Sequence, residues 1–128
     1  MNDIITTIKK LENLVSLRGA STDAIKAAEK KLNLSFAADY SAYLKEFGLI
    51  SAKHIEITGI TESKRLNVVD VTLTERQRNN LPHDMYVIDN TGIEGILMLQ
   101  NSKGEIFEFQ NGTAKKVYAD LAGYLISL

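Results

Sequence analysis

An α+β domain, with N-terminal helices and a C-terminal helix packed around an antiparallel meander sheet, is the fold class this 128-residue sequence predicts. Three observations predict it. Apolar residues recur at helical spacing as far as Phe47, then at a spacing of two once Gly48 has passed. The dipeptide Asn111–Gly112 sits between two short alternating runs, which marks a hairpin. A last stripe of Leu121, Leu125 and Leu128 returns to helical spacing. Helices before and after a block of strands segregate to one side of a sheet instead of alternating with parallel strands.

The elements follow in order. Ile4, Ile8, Leu11 and Val15 form one face of a first helix, with Gly19 as its stop. Ser21 or Thr22 caps a second helix, whose stripe is Ile25, Ala28 and Leu32, and Asp23 suits its positive end. Asn33 tolerates the left-handed turn that ends it. Ser35 is the expected cap of a third helix carrying Tyr40, Leu44 and Phe47, closed by Gly48. Beyond it, "HIEITGI" alternates as a half-buried strand, and "NVVDVTL" alternates likewise before a polar helical turn, "TERQRNN". "MYVID" and "GILMLQ" are two more strands, the second apolar on both faces and therefore central. "EIFEFQ" and "AKKVY" flank the Asn-Gly turn, where glycine adopts positive φ cheaply.

The chain is short enough to be one domain over residues 1–128, with no linker, repeat or low-complexity tract. A composition of 45% hydrophobic and 24% charged residues is that of an ordinary globular domain. Net charge is −1, which predicts no attraction to nucleic acid or to a membrane surface. Cysteine is absent, so disulfides, thiolate metal sites and thiol nucleophiles are excluded together. The N-terminal stretch "MNDIITTIKKLENLV" has spaced apolar residues in place of a leader's continuous core, so a cytoplasmic protein is expected. No feature forces dimerisation, and a monomer is favoured.

Signatures of catalysis are missing. His54 and His83 each have one acidic neighbour nearby, Glu56 and Asp84, but neither matches a metal-ligand spacing. The glycines of "GIEG" do not lead a strand into a helix, so they form no phosphate cradle. Glu105 and Glu108 are three apart on a strand and fall on opposite faces, which rules out a paired acid and base. The expectation is a protein that is no enzyme and carries no cofactor or metal. One distribution stands out: residues 84–110 hold five acids (Asp84, Asp89, Glu94, Glu105, Glu108) and only Lys103 as a base. The preceding residues 64–83 hold four bases and two acids. Such segregation predicts a dipolar surface whose acidic lobe steers a basic partner.

"AAEKKLNLSFAADYSAYLKEFG", then a meander, then "YVIDNTGIEGILMLQNSKGEIFEF" and a closing helix, together resemble the SMI1/KNR4 (SUKH) superfamily. The residues that carry the resemblance are Ile25, Glu29, Leu32, Leu34, Asp39, Tyr40, Leu44 and Gly48, then Gly95, Gly104 to Phe107, Leu121 and Leu125. Phe36–Ala37 stand where the family usually has Leu-Pro, and the tryptophan of many members is absent. The resemblance implies an immunity protein that neutralises a cognate toxin, often a nuclease, by stoichiometric binding. Its alternative is a non-toxin scaffold of the same fold. On that reading Asp89, Glu94, Glu105 and Glu108 are the partner-binding acids, and Tyr86 or Met98 are apolar anchors if exposed.

Overall fold

The computed structural model describes residues 3–128; Met1 and Asn2, part of the stretch read for a leader, lie outside the described residues. Helices α1 (Ile4–Lys9), α2 (Thr22–Leu32) and α3 (Ala38–Phe47) precede most of the strands, and α5 (Leu121–Ile126) follows them. Ser21 caps α2 by accepting from the Ala24 amide, and Asn33 ends it in the left-handed conformation. Gly48 ends α3 at φ +69. These boundaries fall where local signals place them.

The α+β class holds, with the strands divided between two antiparallel sheets in place of one meander. The smaller sheet has the order β1 (Val15–Ser16), β2 (Ile50–Ala52), β3 (Ile55–Ile57). The larger has the order β4 (Met85–Asn90), β5 (Leu97–Asn101), β6 (Ile106–Gln110), β7 (Thr113–Tyr118). Thr58 joins the two: its amide donates to the Ile88 carbonyl and its hydroxyl to the Val87 carbonyl. As its apolar faces predict, β5 is an interior strand, paired on both sides.

Three expectations are corrected. The run "NVVDVTL" is helical, not extended: it opens α4 (Val68–Asn79). Asn67 caps that helix by accepting from the Val69 and Asp70 amides, while its own amide donates to Thr61. Val68, Thr72 and Glu75 face inward at helical spacing, and the Thr72 hydroxyl accepts from the Val87 amide on the edge of β4. A strong cap and a long-range bond override the β-preference of valine and threonine. Second, α1 stops at Lys9, because Asn13 turns left-handed (φ +58) and Val15 pairs with β2. Third, α3 has no Ser35 cap. Glu29 accepts from the Phe36 amide at 2.7 Å and the Tyr86 hydroxyl from Ala37 at 3.0 Å, so distant groups fix the chain leading into α3 while no side chain caps its first turn.

One face of the larger sheet, with Tyr86, Ile88, Met98 and Ile106, packs on α2, α3 and α5 in the main core. The other face gathers Met85, Val87, Leu97, Leu99 and Phe109 around Leu81, with Val71 of α4 against them. Helical cover therefore reaches both faces, not one. Gly19 is a close-approach residue: a Cβ there would overlap the Lys45 carbonyl oxygen where the chain crosses the end of α3.

Candidate functional site: a groove at one end of the fold

The interior and the surface treat the expected site residues differently. Tyr86 has no solvent exposure, and its hydroxyl donates to the Gln100 side chain at 2.6 Å. Gln100 in turn donates to Asp39 and to the Gly104 carbonyl. The other oxygen of Asp39 accepts from the Leu121 amide at the start of α5. Tyr86 is thus a structural residue and not an anchor on the surface; Met98 is buried too. The condition of exposure set for both is not met, because both faces of the sheet are covered, which period-two alternation does not reveal.

The five acids do not converge. Asp84 precedes β4 and Glu94 lies beyond its far end, six strand residues away. Glu105 forms an ion pair with Lys116 at 2.8 Å and accepts from Asn101, and both contacts hold its carboxyl below the ordinary range. Glu108 stands opposite Lys115 in the β6–β7 register. Two lysines just past residue 110 therefore face two of the acids. Asp89 is only 8% exposed and accepts from the Tyr124 hydroxyl at 2.7 Å. Of this group Asp84 and Glu94 are exposed and form no ion pair among the described residues, and of these two only Glu94 adjoins the exposed Ile93.

Glu94 sits in the β4–β5 turn, "NTGIEG", and its backbone is left-handed at φ +48. The other non-glycine residues at positive φ among those described are all asparagines: Asn13, Asn33, Asn80 and Asn111. Asparagine adopts that conformation readily, whereas glutamate pays about 1–2 kcal/mol of steric strain. Beside Glu94, Ile93 is 63% exposed. An isolated isoleucine in a glycine-rich polar turn was the available sequence signal.

Ile93 borders a groove made of two adjoining hollows that share Lys53, His54, Ile55 and Leu128. The outer hollow runs between α1 and α5, past Leu11 and Ile126. The inner one is bounded by Glu56, Asp89, Thr91, Ile93 and Tyr124. Ile126 and Leu128 are 65% and 53% exposed, so three of the six exposed large apolar side chains of the described residues border this groove. Charges on the rim are matched in part: Lys53 pairs with Glu12 at 3.2 Å and Arg65 with Glu56 at 3.1 Å. Both pairs are exposed and contribute little stability. Burial raises the Asp89 carboxyl above its ordinary value, the charge of Glu56 adds to that, and the Tyr124 hydrogen bond opposes both. His54 is exposed on the rim, and His83 lies elsewhere, beyond α4. Among the described residues no three histidines or carboxylates converge as a metal site would require. Among the described residues no helix is long and apolar enough to cross a membrane.

A family model described as "SMI1-KNR4 cell-wall" matches residues 1–127. The chain belongs to the SMI1-KNR4 family. A crystal structure of a protein from Pseudomonas syringae pv. tomato is similar with a TM-score of 0.80, over 98% of this chain and 95% of that one, at 12% identity. At that identity the likeness is one of fold. No curated protein matches the chain. The SMI1-KNR4 framework residues now have physical roles: Glu29 holds the Phe36 amide, Asp39 ties α5 to β5, and the Tyr40 hydroxyl bonds to Thr58 where the sheets meet. Of the framework residues only Leu125 lines the groove; Glu29, Asp39 and Tyr40 lie away from it.

Proposed function

We propose that this SMI1-KNR4 protein is an immunity protein. It binds a cognate toxin, a nuclease on the expectation above, and neutralises it by stoichiometric protein–protein contact. The groove end is the contact face. The observation that carries this reading is the grouping of Ile93, Ile126 and Leu128, exposed together around one concavity. Large apolar side chains gathered on one surface gain free energy when a partner excludes water from them. Glu94 supports the same face, because a glutamate stands at a left-handed position where an asparagine would be less costly. Its exposed carboxylate suits the lysines and arginines with which a nuclease holds phosphate.

Affinity for the toxin encoded beside this chain provides the test. Ile93→Asp is expected to weaken binding at least about tenfold, as loss of a central apolar anchor does. Reversal of Glu94 and Glu108 to lysine is expected to weaken it further and to slow association at low salt. Unchanged affinity in both variants, with unaltered melting, rejects this contact face. Failure of the unmodified chain to bind or protect against that toxin rejects the immunity function itself, and leaves the protein-binding scaffold as the reading to pursue.

A further inference from the structure

The inner hollow of the groove has a chemistry of its own. Asp89 lies at an irregularity in the β4–β5 register, between Val87 and Asp89, which turns its carboxylate toward α5 and the hollow. Only 8% of the residue is exposed. One oxygen accepts from Tyr124; the other has no hydrogen-bond donor among the described residues. The ion pairs of the described residues engage Glu12, Glu56 and Glu105, and none engages Asp89. The carboxylate therefore has one protein donor, and its second oxygen is not sealed from solvent and is left to whatever occupies the hollow.

The cations nearest by position are occupied elsewhere. Lys53 lines the hollow with its ammonium on Glu12, and Arg65 reaches Glu56. Glu56 borders the same hollow, so a second carboxylate strengthens the negative potential at the Asp89 oxygen. Ile55, Ile93 and Leu128 supply apolar walls, which suit the carbon chain of an amphipathic side chain with a charged tip.

We propose that the inner hollow is a socket for one basic side chain of the protein partner, a lysine or arginine whose stem lies along Ile55, Ile93 and Leu128 and whose charged head meets Asp89. The assignment rests on the partner-binding reading above for its biological occupant, but the socket itself is testable without any partner. Tyr124 orients the carboxylate from below and the partner's cation completes its hydrogen bonding. The general acidic lobe anticipated from composition is thereby narrowed to one position, and specificity comes from reach and alignment as well as from charge.

The test titrates the isotopically labelled full chain with n-butylammonium and n-butylguanidinium, with n-butanol as the uncharged comparison, and follows backbone amide resonances. The two cations are expected to shift Asp89, Thr91 and Tyr124 in a saturable way, and butanol to leave them in place. Asp89→Asn keeps an acceptor for the Tyr124 hydroxyl and removes the charge, so its shifts with the cations are expected to vanish while its melting is retained. Cation shifts no larger than those with butanol, or shifts unaffected by Asp89→Asn, overturn the socket. So does displacement of Arg65 from Glu56 into the hollow of the free protein. The titration of the unmodified chain decides the matter even if the variant fails to fold. A second arm measures the toxin: Asp89→Asn is expected to cost at least about tenfold in affinity, and full retention overturns the proposal. A failed first arm leaves the contact face standing. Loss of toxin binding by Ile93→Asp but not by Asp89→Asn removes the socket alone.

Discussion

The centre of the molecule and its groove end handle polar groups in opposite ways. At the centre, Phe36, Tyr40, Tyr43 and Tyr86 pack edge-on or tilted at 4.8–5.4 Å between ring centroids. The three tyrosine hydroxyls are all engaged: Tyr40 with Thr58, Tyr43 with Ile57, Thr58 and Ile50, and Tyr86 with Ala37 and Gln100. Burial lifts all three phenols far above their ordinary range, so they remain neutral donors at any working pH. At the groove, a buried carboxylate has one donor, three large apolar side chains face water, and a glutamate holds a strained backbone. The difference teaches that internally satisfied polar groups and unsatisfied ones are kept in separate places. The centre is satisfied internally and gains nothing from a partner; the groove is left incomplete in ways that a partner can complete.

Truncation separates the two regions most widely. Tyr40→Ala removes a fully buried ring that touches three other aromatic rings and joins α3 to Thr58, and is expected to cost about 3–5 kcal/mol. Ile126→Ala, at a residue 65% exposed, is expected to stay within about 0.5 kcal/mol. Urea unfolding at neutral pH measures both, and similar losses would erase the distinction between centre and groove.

Next in size is Asp39→Ala. The change strands the Leu121 amide and one Gln100 amide proton, both in or beside the core, and is expected to cost about 2–3 kcal/mol. Because Asp39 is where α5 is tied to the rest, hydrogen exchange in α5 should rise more than in α2. Uniform acceleration across both helices would mean that α5 is held by packing alone.

How much of this could be seen in the sequence follows from the range of the interactions involved. Ser21, Asn33, Gly48 and Asn111–Gly112 act on their immediate neighbours, and the boundaries they predict are present. The helix α4 was hidden because its decisive contacts, Thr72 with Val87 and Asn67 with Thr61, depend on where the chain returns. Nothing local marks Gln100, which is wholly buried at the junction of Tyr86, Asp39 and Gly104. The acidic run was real as sequence, but a hairpin folds Lys115 and Lys116 back against it, and no count that stops at residue 110 can include them. The groove was illegible for a similar reason: it joins α1, the β2–β3 turn, the β4–β5 turn and α5, which are far apart along the chain.

A smaller effect tests the incompleteness of the groove through pH. Burial raises the Asp89 carboxyl above its ordinary value of 3.8, so the folded protein holds this proton more tightly than the unfolded chain. Its contribution to stability is therefore fully present below the unfolded value and is lost as pH rises through the folded one. Asp89→Asn lacks that loss. The stability of the variant relative to the parent should thus increase as pH rises from about 4 to neutrality. Denaturation at several pH values measures it, and a flat or opposite trend would show that Tyr124 fully compensates the charge.

The smallest shift in stability is expected where the cost and the use of a residue coincide. Glu94→Asn places in the β4–β5 turn the residue found at the other four non-glycine positive-φ positions of the described chain. Relief of part of the backbone strain should raise stability by about 0.5 kcal/mol. The same change removes an exposed carboxylate from the proposed contact face, so toxin affinity should fall while melting temperature rises. That pairing of opposite signs is hard to obtain from a residue that serves only the turn. A variant that gains stability and binds as well as the parent would show that the strain at Glu94 has no bearing on recognition. A variant that loses both would show that its carboxylate holds the loop itself, and would move Glu94 from the incomplete end of the molecule to the satisfied one.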